Sequence, residues 1–241
     1  MISVCIATYN GAKFIRKQVD SIIVQLEADD EVIISDDASK DRTVEILRGY
    51  NDSRIKIFKG PCKGHPRHNF ENALKHASGD FIFLSDQDDE WLEGKVERMM
   101  TSLQENDMVV SNAYVVDGNN TIIKDYYYAL EQYPMKHGFL HTLLWPNYLG
   151  CCLAFRRSVL DYALPFPQQI AQHDIWLGLC ADMFKLKIKF IPDRLLNYKR
   201  YGDNFSPMGK SIYPVWKRVW FRVYFLYSIV MRYMKILWGK K

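Results

Sequence analysis

Four acidic side chains within five positions are the residues best placed to do chemistry. Asp86, Asp88, Asp89 and Glu90 follow the apolar run FIFL directly. Carboxylates this close repel one another, so a site that keeps them ionised needs a cation, and hard oxygen ligands favour Mg²⁺ or Mn²⁺. A phosphate-bearing substrate can complete the coordination of such a cation. For a bare D-x-D taken alone, the commoner alternative is a solvated turn that caps the next helix.

Two further polar segments also follow short apolar runs. TYNG closes the run at 2–7, and DDASKD closes the run EVIIS at 31–35. Either segment can be ordinary turn and helix-cap chemistry. Alternatively, Asp36 or Asp37 accepts a hydrogen bond from a nucleobase or a ribose hydroxyl, and Tyr9 stacks on a base.

Strands and helices alternate along the first hundred residues. Apolar runs predict strands at 2–7, 31–35, 54–58 and 81–85, and helical spacing predicts helices at about 14–26, 42–49 and 69–77. Such alternation, with apolar strands, indicates a parallel sheet covered on both faces. Because ligands bind at the carboxyl ends of these strands, the three polar loops are expected to share one site. This convergence favours cation binding over the solvated turn.

The pattern becomes less regular after residue 100. We predict strands at 107–116, about 151–156 and 188–191, a helix at 175–184, a turn at DGNN and an irregular aromatic stretch over 126–148.

The composition indicates a folded, unsecreted protein. The 241 residues are 48% hydrophobic and 25% charged, which allows a sizeable core. No uncharged apolar run approaches the roughly 18 to 20 residues of a membrane-spanning helix, and the N-terminus lacks a signal-peptide pattern. Five cysteines without a C-x-x-C pair indicate neither a disulfide framework nor a zinc site. We therefore expect a protein of the reducing cytoplasm.

Positive charge is concentrated at the end of the chain. Eight basic residues and no acidic one follow Asp203, so the total of +4 leaves −4 on residues 1–203. On a helical projection of 213–241 the basic residues occupy an arc of about 140°, opposite an apolar side. The apolar side consists of Trp220, Val223, Tyr227, Val230, Met234, Leu237 and Trp238. We predict a helix lying in the interface of an anionic membrane; the alternatives are packing on the rest of the chain or pairing in a homodimer.

Taken together, the motifs resemble those of the family 2 glycosyltransferases, inverting enzymes with the GT-A fold. The shared segments run in the family's order from Ile2 to about Ser206: TYNG, IISDDASKDRT, RHNFENAL, SGDFIFLSDQDDEW, GCCLAFRRSVLDYALPFP, QHDIWLGL and YKRYGDNFS. The last three are most similar to the bacterial rhamnosyltransferase-like branch, which builds surface polysaccharides.

The resemblance implies a fold and a division of the chain. The fold would be α/β: a GT-A, Rossmann-like, mostly parallel central sheet with helices on both faces, followed here by a C-terminal amphipathic helical tail. The catalytic domain would span 1–206, with a nucleotide-binding half at 1–100 and an acceptor-binding half at 101–206. The basic helical tail would span 207–241.

The resemblance also assigns roles by position. The residues expected to bind the nucleotide-diphosphate sugar donor are Thr8, Tyr9, Asn10, Asp36, Asp37, Asn69 and Asp86. Asp88 would bind the metal, Mn²⁺ or Mg²⁺, and Asp174 in QHDIW would be the catalytic base. Asp174 can equally serve as the N-cap of a helix beginning at Ile175.

The implied partners follow from the same resemblance. The acceptor would be a glycan or a lipid-linked oligosaccharide, and no nucleic acid is expected. The protein would lie in the cytoplasm, peripherally on the inner face of the cell membrane.

Three further sets of residues carry weaker signals. Tyr201 replaces the histidine of the branch's usual Tyr-Arg-x-His-Gly-x-Asn, and Lys199 or Arg200 is a substitute phosphate contact. Trp145 and Trp176 suit a sugar platform, although aromatic residues more often belong to a core. The histidines expected on the surface or in loops are His65, His68, His137, His141 and His173.

Two other functions stay open. A sugar-phosphate nucleotidyltransferase also pairs aspartates with Mg²⁺, but it usually has a Gly-rich basic loop after its first strand, and TYNGAKF is not one. A catalytically silent module would bind membranes or glycans through the basic tail. Intact Asp88 and Asp174 argue against that module.

Overall fold

A computed structural model describes residues 1–130, 135–200 and 213–238 of the chain. Its first part alternates β1 (Ile2–Thr8), α1 (Ile15–Ile23), β2 (Glu31–Asp36), α2 (Thr43–Arg48), β3 (Ile55–Lys59), α3 (Pro66–His76) and β4 (Phe81–Asp86). The four strands pair in parallel in the order β3-β2-β1-β4. The predicted alternation and the predicted parallel sheet are confirmed.

The order of the strands determines where the helices lie. From β1 through β2 to β3 the chain steps one way across the sheet, and from β3 to β4 it returns past β1. Right-handed connections therefore place α1 and α2 on one face and α3 on the other. β1 and β2 are buried along almost their whole length, as their apolar sequences require. The strand order reverses between β1 and β4, the place where open α/β sheets bind ligands.

The second part of the chain extends the same sheet. Its elements are β5 (Glu90–Trp91), α4 (Lys95–Leu103), β6 (Met108–Val116), β7 (Ile122–Lys124), α5 (Phe139–Leu144), β8 (Leu153–Arg156), α6 (Val159–Ala163), α7 (His173–Met183) and β9 (Ile188–Lys199). The order continues β4-β8-β6-β9-β5, with β7 beside β6. Within the described residues β5, β7 and β8 run against the other six strands, so the mostly parallel sheet is confirmed.

Several elements differ from the sequence prediction. The late strand expected at 188–191 continues to Lys199, because β9 follows β6 through two register shifts and then pairs with β5. Pro192 lies inside this strand and signals a break in the sequence pattern. The sequence pattern predicts neither the helices α4 and α6 nor the short strands β5 and β7, and α5 lies within the stretch expected to be irregular.

The C-terminal helix α8 (Val215–Trp238) is present as predicted, and it packs on the rest of the protein. It buries Phe225 and Ile229, and Arg232 donates hydrogen bonds to the carbonyls of residues 162, 164 and 165. Arg222 donates to the Leu144 carbonyl at 2.8 Å. Arg222 and Arg232 of the basic arc therefore face the protein, which is the packing alternative considered from the sequence, whereas Arg218 and Lys235 are exposed. No helix among the described residues is long and apolar enough to cross a membrane.

The apolar side of α8 faces outward. The exposed apolar residues on and beside this side are Trp216, Val219, Trp220, Val223, Leu226, Tyr227, Val230, Met231, Leu237 and Trp238. We call this set the outer face of α8. Lys210, Lys240, Lys241 and the domain boundary expected after residue 206 lie outside the described residues.

Helix α7 offers a test of packing beside the sheet. A Cβ added to Gly178 would lie 2.2 Å from a ring carbon of Tyr148, which is itself buried. We expect Gly178→Ala to lower the free energy of unfolding by about 1–3 kcal/mol, the usual cost of overpacking. Urea unfolding measures this change. Gly118→Ala is the matched control, since a Cβ there meets nothing within 4 Å; equal stability of both variants would contradict the packing.

Candidate active site

A cavity of about 520 Å³ opens where the strand order reverses. Its wall is formed by the loops after β1, β2 and β4, the start of α3, the loop at 149–150, the start of α7 and the end of β9. The three polar loops singled out in the sequence therefore meet in one place. The carboxyl ends of parallel strands position them there.

The acidic segment divides into three environments. Asp86 and Asp88 line the cavity. Asp89 is buried behind them. Glu90 turns away and pairs with Lys17 at 2.9 Å and with the Asn120 amide at 2.8 Å. Of the four acidic residues after β4, two therefore line the cavity, one is buried behind it and one forms an ion pair at its periphery.

Asp89 supports the site from inside the protein. Its Oδ1 accepts the backbone N–H of Lys199 at 3.0 Å, whereas its buried Oδ2 has no hydrogen-bond partner in the part of the chain that the structure describes. Ligand atoms of Asp86, Asp89 and Cys151 lie within 4.8 Å of one another. Burial, reinforced by the Asp88 charge, raises the pKa of Asp86 to about 7 and raises that of Asp89 well above its usual range.

These features fit a divalent cation. Buried carboxylates that raise one another's pKa, together with an unpaired carboxylate oxygen, gain from a nearby positive charge. Carboxylate oxygens are the hard ligands that Mg²⁺ and Mn²⁺ prefer, whereas the Cys151 thiol is a soft one. Asp88, the predicted ligand, lies in the cavity wall beside Asp86 but outside the Asp86, Asp89 and Cys151 group.

Asp174 lies in the same cavity wall, in the first turn of α7. Its Oδ2 accepts the N–H of Gly150 at 3.1 Å, and its Oδ1 accepts the N–H of Ile175 at 2.9 Å. Burial outweighs these hydrogen bonds and raises the pKa of Asp174 to about 6. The N-cap of α7 is Gln172, so the capping alternative for Asp174 is wrong. A fixed carboxyl with a pKa near neutrality suits a general base.

The first loop is tied to the acidic loop by Gln87. Its Oε1 accepts the Thr8 hydroxyl at 2.7 Å and the Tyr9 N–H at 2.9 Å. Thr8 and Tyr9 line the cavity, and the Tyr9 side chain is exposed. Asn10 is not in the wall; its side chain accepts the Lys40 N–H at 2.8 Å and so joins two loops. Gln87 carries no signal in the sequence, because its role depends on a contact 78 residues away.

The second loop separates its two aspartates. Asp37 lines the cavity and accepts the N–H of Gly64 at 2.7 Å. Asp36 is not in the wall and accepts the N–H of Ser39 at 2.9 Å, which is turn chemistry.

Asn69 lines the cavity from α3 while both ends of its amide bond to the protein. Its Nδ2 donates to the Thr8 carbonyl at 3.1 Å, and its Oδ1 accepts the Ser35 hydroxyl at 2.6 Å. A Cβ added to Gly60 would lie 2.3 Å from the same Oδ1, so this glycine makes the close approach possible. Asn69 thereby holds the ends of β1 and β2 together.

Two arginines in the cavity wall, Arg67 and Arg200, lie far apart in the sequence. Arg67 donates to the carbonyls of Ile170 and Gln168, each at 2.9 Å, and so joins α3 to the loop before α7. Arg200 lines the cavity and donates to the Tyr198 hydroxyl at 2.8 Å. Lys199 is not in the wall, although its N–H holds Asp89. Tyr201, the position that departs from the family branch, lies outside the described residues.

Other aromatic residues are placed differently from the expectation. Trp176 is fully buried and donates to the Ala163 carbonyl at 2.9 Å, so it belongs to the core. Trp145 is exposed at the end of α5, and neither tryptophan lines the cavity. His65 and His173 do line it, and His173 is buried rather than on the surface.

Comparison with known proteins decides the family. Residues 3–163 match the family described as Glycosyl transferase family 2. The chain belongs to this family. It is 27% identical over 185 residues to the Escherichia coli protein named UDP-Glc:alpha-D-GlcNAc-diphosphoundecaprenol beta-1,3-glucosyltransferase WfgD, covering 76% of this chain and 70% of that protein. This chain spans between 41% and 70% of the length of three curated relatives that it matches.

Solved structures agree on the fold. Staphylococcus aureus TarS 1–349 in complex with UDP-GlcNAc superposes with a TM-score of 0.68 at 20% identity, over 84% of this chain and 59% of that one. The mannosyltransferase PcManGT from Pyrobaculum calidifontis, in complex with GDP-Man and Mn²⁺, gives 0.66 at 18% identity, over 85% and 58%. The predicted GT-A fold is confirmed.

Proposed function

We propose that this protein is an inverting glycosyltransferase that moves a sugar from a nucleotide-diphosphate donor to a lipid-linked glycan acceptor in bacterial surface polysaccharide synthesis. The observation that carries the proposal is the placement of Asp174 in one cavity wall with Asp86 and Asp88, within a family 2 domain. WfgD supports the lipid-linked acceptor, since its name specifies a diphosphoundecaprenol substrate. The catalytic domain is taken as 1–206 and the tail as 207–241.

The base step uses Asp174. The acceptor hydroxyl attacks the anomeric carbon, its proton passes to the Asp174 carboxylate, and the bond from that carbon to the donor diphosphate breaks. The N–H groups of Gly150 and Ile175 fix the direction of this carboxylate. A direct displacement inverts the anomeric centre and needs no enzyme nucleophile.

Donor binding uses the other side of the cavity. Tyr9 stacks on the nucleobase of the donor, and Asp37 accepts a hydrogen bond from the nucleobase or the ribose. Arg200 is positioned to contact the donor phosphate. Thr8, Asn10, Asp36 and Asn69 hold the loops that present these groups. Asp86 and Asp88 would hold Mn²⁺ or Mg²⁺, which when bound neutralises negative charge on the departing diphosphate.

A screen of donors tests the function directly. The purified chain is incubated with UDP-, GDP- and dTDP-sugars and Mn²⁺, and hydrolysis or transfer is measured. The GCCLAFRR and QHDIW segments resemble those of the rhamnosyltransferase-like branch, so dTDP-rhamnose is included beside UDP-glucose. Binding of UDP without turnover of any donor would replace the proposal with the silent binding module.

The first prediction concerns the base. Asp174→Asn should leave donor affinity nearly unchanged and lower transfer by about 10² to 10⁴-fold, the usual scale for losing a general base. The wild-type rate should rise with pH through about 6, because the carboxyl accepts a proton only when it is ionised. Donor affinity and turnover are measured separately across pH 4.5–8.5, a range of about four units around that pKa. Near-normal turnover of the variant would assign the base elsewhere.

The second prediction concerns the cation. Mn²⁺ and UDP should bind cooperatively, and Asp88→Ala should abolish the gain in UDP affinity that Mn²⁺ provides. Calorimetric titration of UDP with and without Mn²⁺ measures this gain. Glu90→Ala is the matched control, because Glu90 lies two residues away and pairs with Lys17 instead of lining the cavity. An unchanged gain in the Asp88 variant would remove the metal assignment.

The outer face of α8 supports a peripheral membrane position. Trp216, Val223, Tyr227 and Trp238 are all more than half exposed. A contiguous apolar surface of this kind marks an interaction site, and tryptophan and tyrosine suit the depth of the membrane interface. Arg218 and Lys235 are exposed beside it and can contribute about 1 kcal/mol each with anionic lipid. This contact would hold the enzyme beside a lipid-linked acceptor.

The third prediction tests that contact. Full-length protein should co-sediment with phosphatidylglycerol vesicles at low salt, and a Val219→Glu, Val223→Glu, Tyr227→Glu variant should remain in the supernatant. A variant with Val24→Glu, Ile122→Glu and Ile123→Glu is the matched control, since those exposed side chains lie outside α8. Wild-type protein that stays in the supernatant would contradict the membrane contact. A dimer in light scattering that the α8 variant disrupts would then assign the outer face to a second copy.

A further inference from the structure

His173 is a buried polar residue that the proposed mechanism does not use. It lies next to Asp174, lines the cavity and is 9% exposed. Its ring stacks on Phe70, with 4.1 Å between the centroids and 20° between the planes. The stack fixes the plane of the imidazole and therefore the direction of its nitrogens.

One of those nitrogens lacks a hydrogen-bond partner among the described residues. Nε2 of His173 is buried and makes no hydrogen bond to any residue that the structure describes. Buried polar atoms are nearly always paired, so an unpaired one in a cavity wall indicates a ligand atom. A Cβ added to Gly150 would lie 3.1 Å from Nε2, so the missing side chain at Gly150 leaves the space beside this nitrogen open.

The chemistry of the ring selects the ligand group. Burial, followed by the nearby His65, lowers the pKa of His173 to about 3, so the ring is neutral at physiological pH. A neutral imidazole carries no charge for a phosphate. A sugar hydroxyl both donates and accepts, so it can pair with Nε2 in either tautomer.

We propose that His173 is a specificity-determining residue whose Nε2 hydrogen-bonds a hydroxyl of the sugar bound beside Asp174. This inference rests on the proposed function. The hydroxyl belongs either to the donor sugar or to the acceptor sugar, because both meet at the base. Pairing with Nε2 orients the sugar and excludes sugars that lack this hydroxyl, since they would leave the nitrogen unpaired.

Two substitutions separate the hydrogen bond from packing. His173→Phe keeps an aromatic ring against Phe70 and removes the nitrogen, whereas His173→Gln places an amide near the position of Nε2. His76→Phe is the matched control, because His76 also stacks on a phenylalanine, Phe58, at 3.9 Å but lies outside the cavity wall. Thermal unfolding and UDP affinity are measured for all three variants.

The activity assay has a donor arm and an acceptor arm. The donor arm measures hydrolysis of the most active donor of the screen without acceptor, and the acceptor arm measures transfer to a GlcNAc-diphosphate lipid. His173→Phe should lower kcat/KM by about 10- to 100-fold with UDP affinity unchanged, and His173→Gln should recover part of the loss. Loss in both arms assigns the hydroxyl to the donor sugar, and loss in transfer alone assigns it to the acceptor.

Deoxy analogues of that donor and acceptor provide the decisive comparison. An analogue that lacks the paired hydroxyl should be used equally well by the wild type and His173→Phe. Any of three results would overturn the inference. His173→Phe loses the same activity relative to the wild type with every analogue, His173→Gln recovers none of the lost activity, or His173→Phe is as active as His76→Phe. If the wild type turns over no donor, the proposed function fails first and the inference fails with it.

Discussion

The cost of holding several carboxylates away from water at one cavity is the constraint on which the site depends. Asp86, Asp88 and Asp174 line a single space, and Asp89 lies behind it. The raised pKa values of Asp86, Asp89 and Asp174 express the cost of gathering this charge away from water. The protein fixes the arrangement with backbone N–H groups from distant segments: Lys199 holds Asp89 and Gly150 holds Asp174. Such a site suits a cation at Asp86 and Asp88 and, in the proposed mechanism, transfer of the acceptor proton to Asp174.

The local pattern of apolar and polar residues was enough to predict much of the fold. The first four strands and three helices were predicted to within a few residues, because apolar runs and helical spacing there agree with the burial that the sheet imposes. The polar loops were placed correctly for the same reason, since strand ends in a parallel sheet share an edge. Elements defined by long-range pairing were harder: β9 passes through Pro192, and β5 has only two residues.

The candidate site was predictable in its residue types but not in the direction of each side chain. Nothing local distinguishes Asp88, in the cavity wall, from Asp89, which is turned inward to the end of β9. Gln87 and His173 gave no sequence signal, because their contacts come from the first loop and from Phe70. The tail shows the same limit. Its periodicity predicted two faces of a helix, but Arg222 and Arg232 turned the basic one toward backbone carbonyls of the protein.

Gly150 has two structural roles that a single substitution cannot separate. Its amide directs the carboxylate of Asp174, and its missing side chain keeps the space beside His173 open. A larger residue would crowd the imidazole, and a backbone shift that relieved the crowding would move the amide that orients the proposed base. Under the proposed mechanism, the reaction rate and the sugar preference are therefore coupled at this position. Divergence toward a new sugar would then have to begin elsewhere in the cavity wall, where side chains can change without moving the proposed proton acceptor.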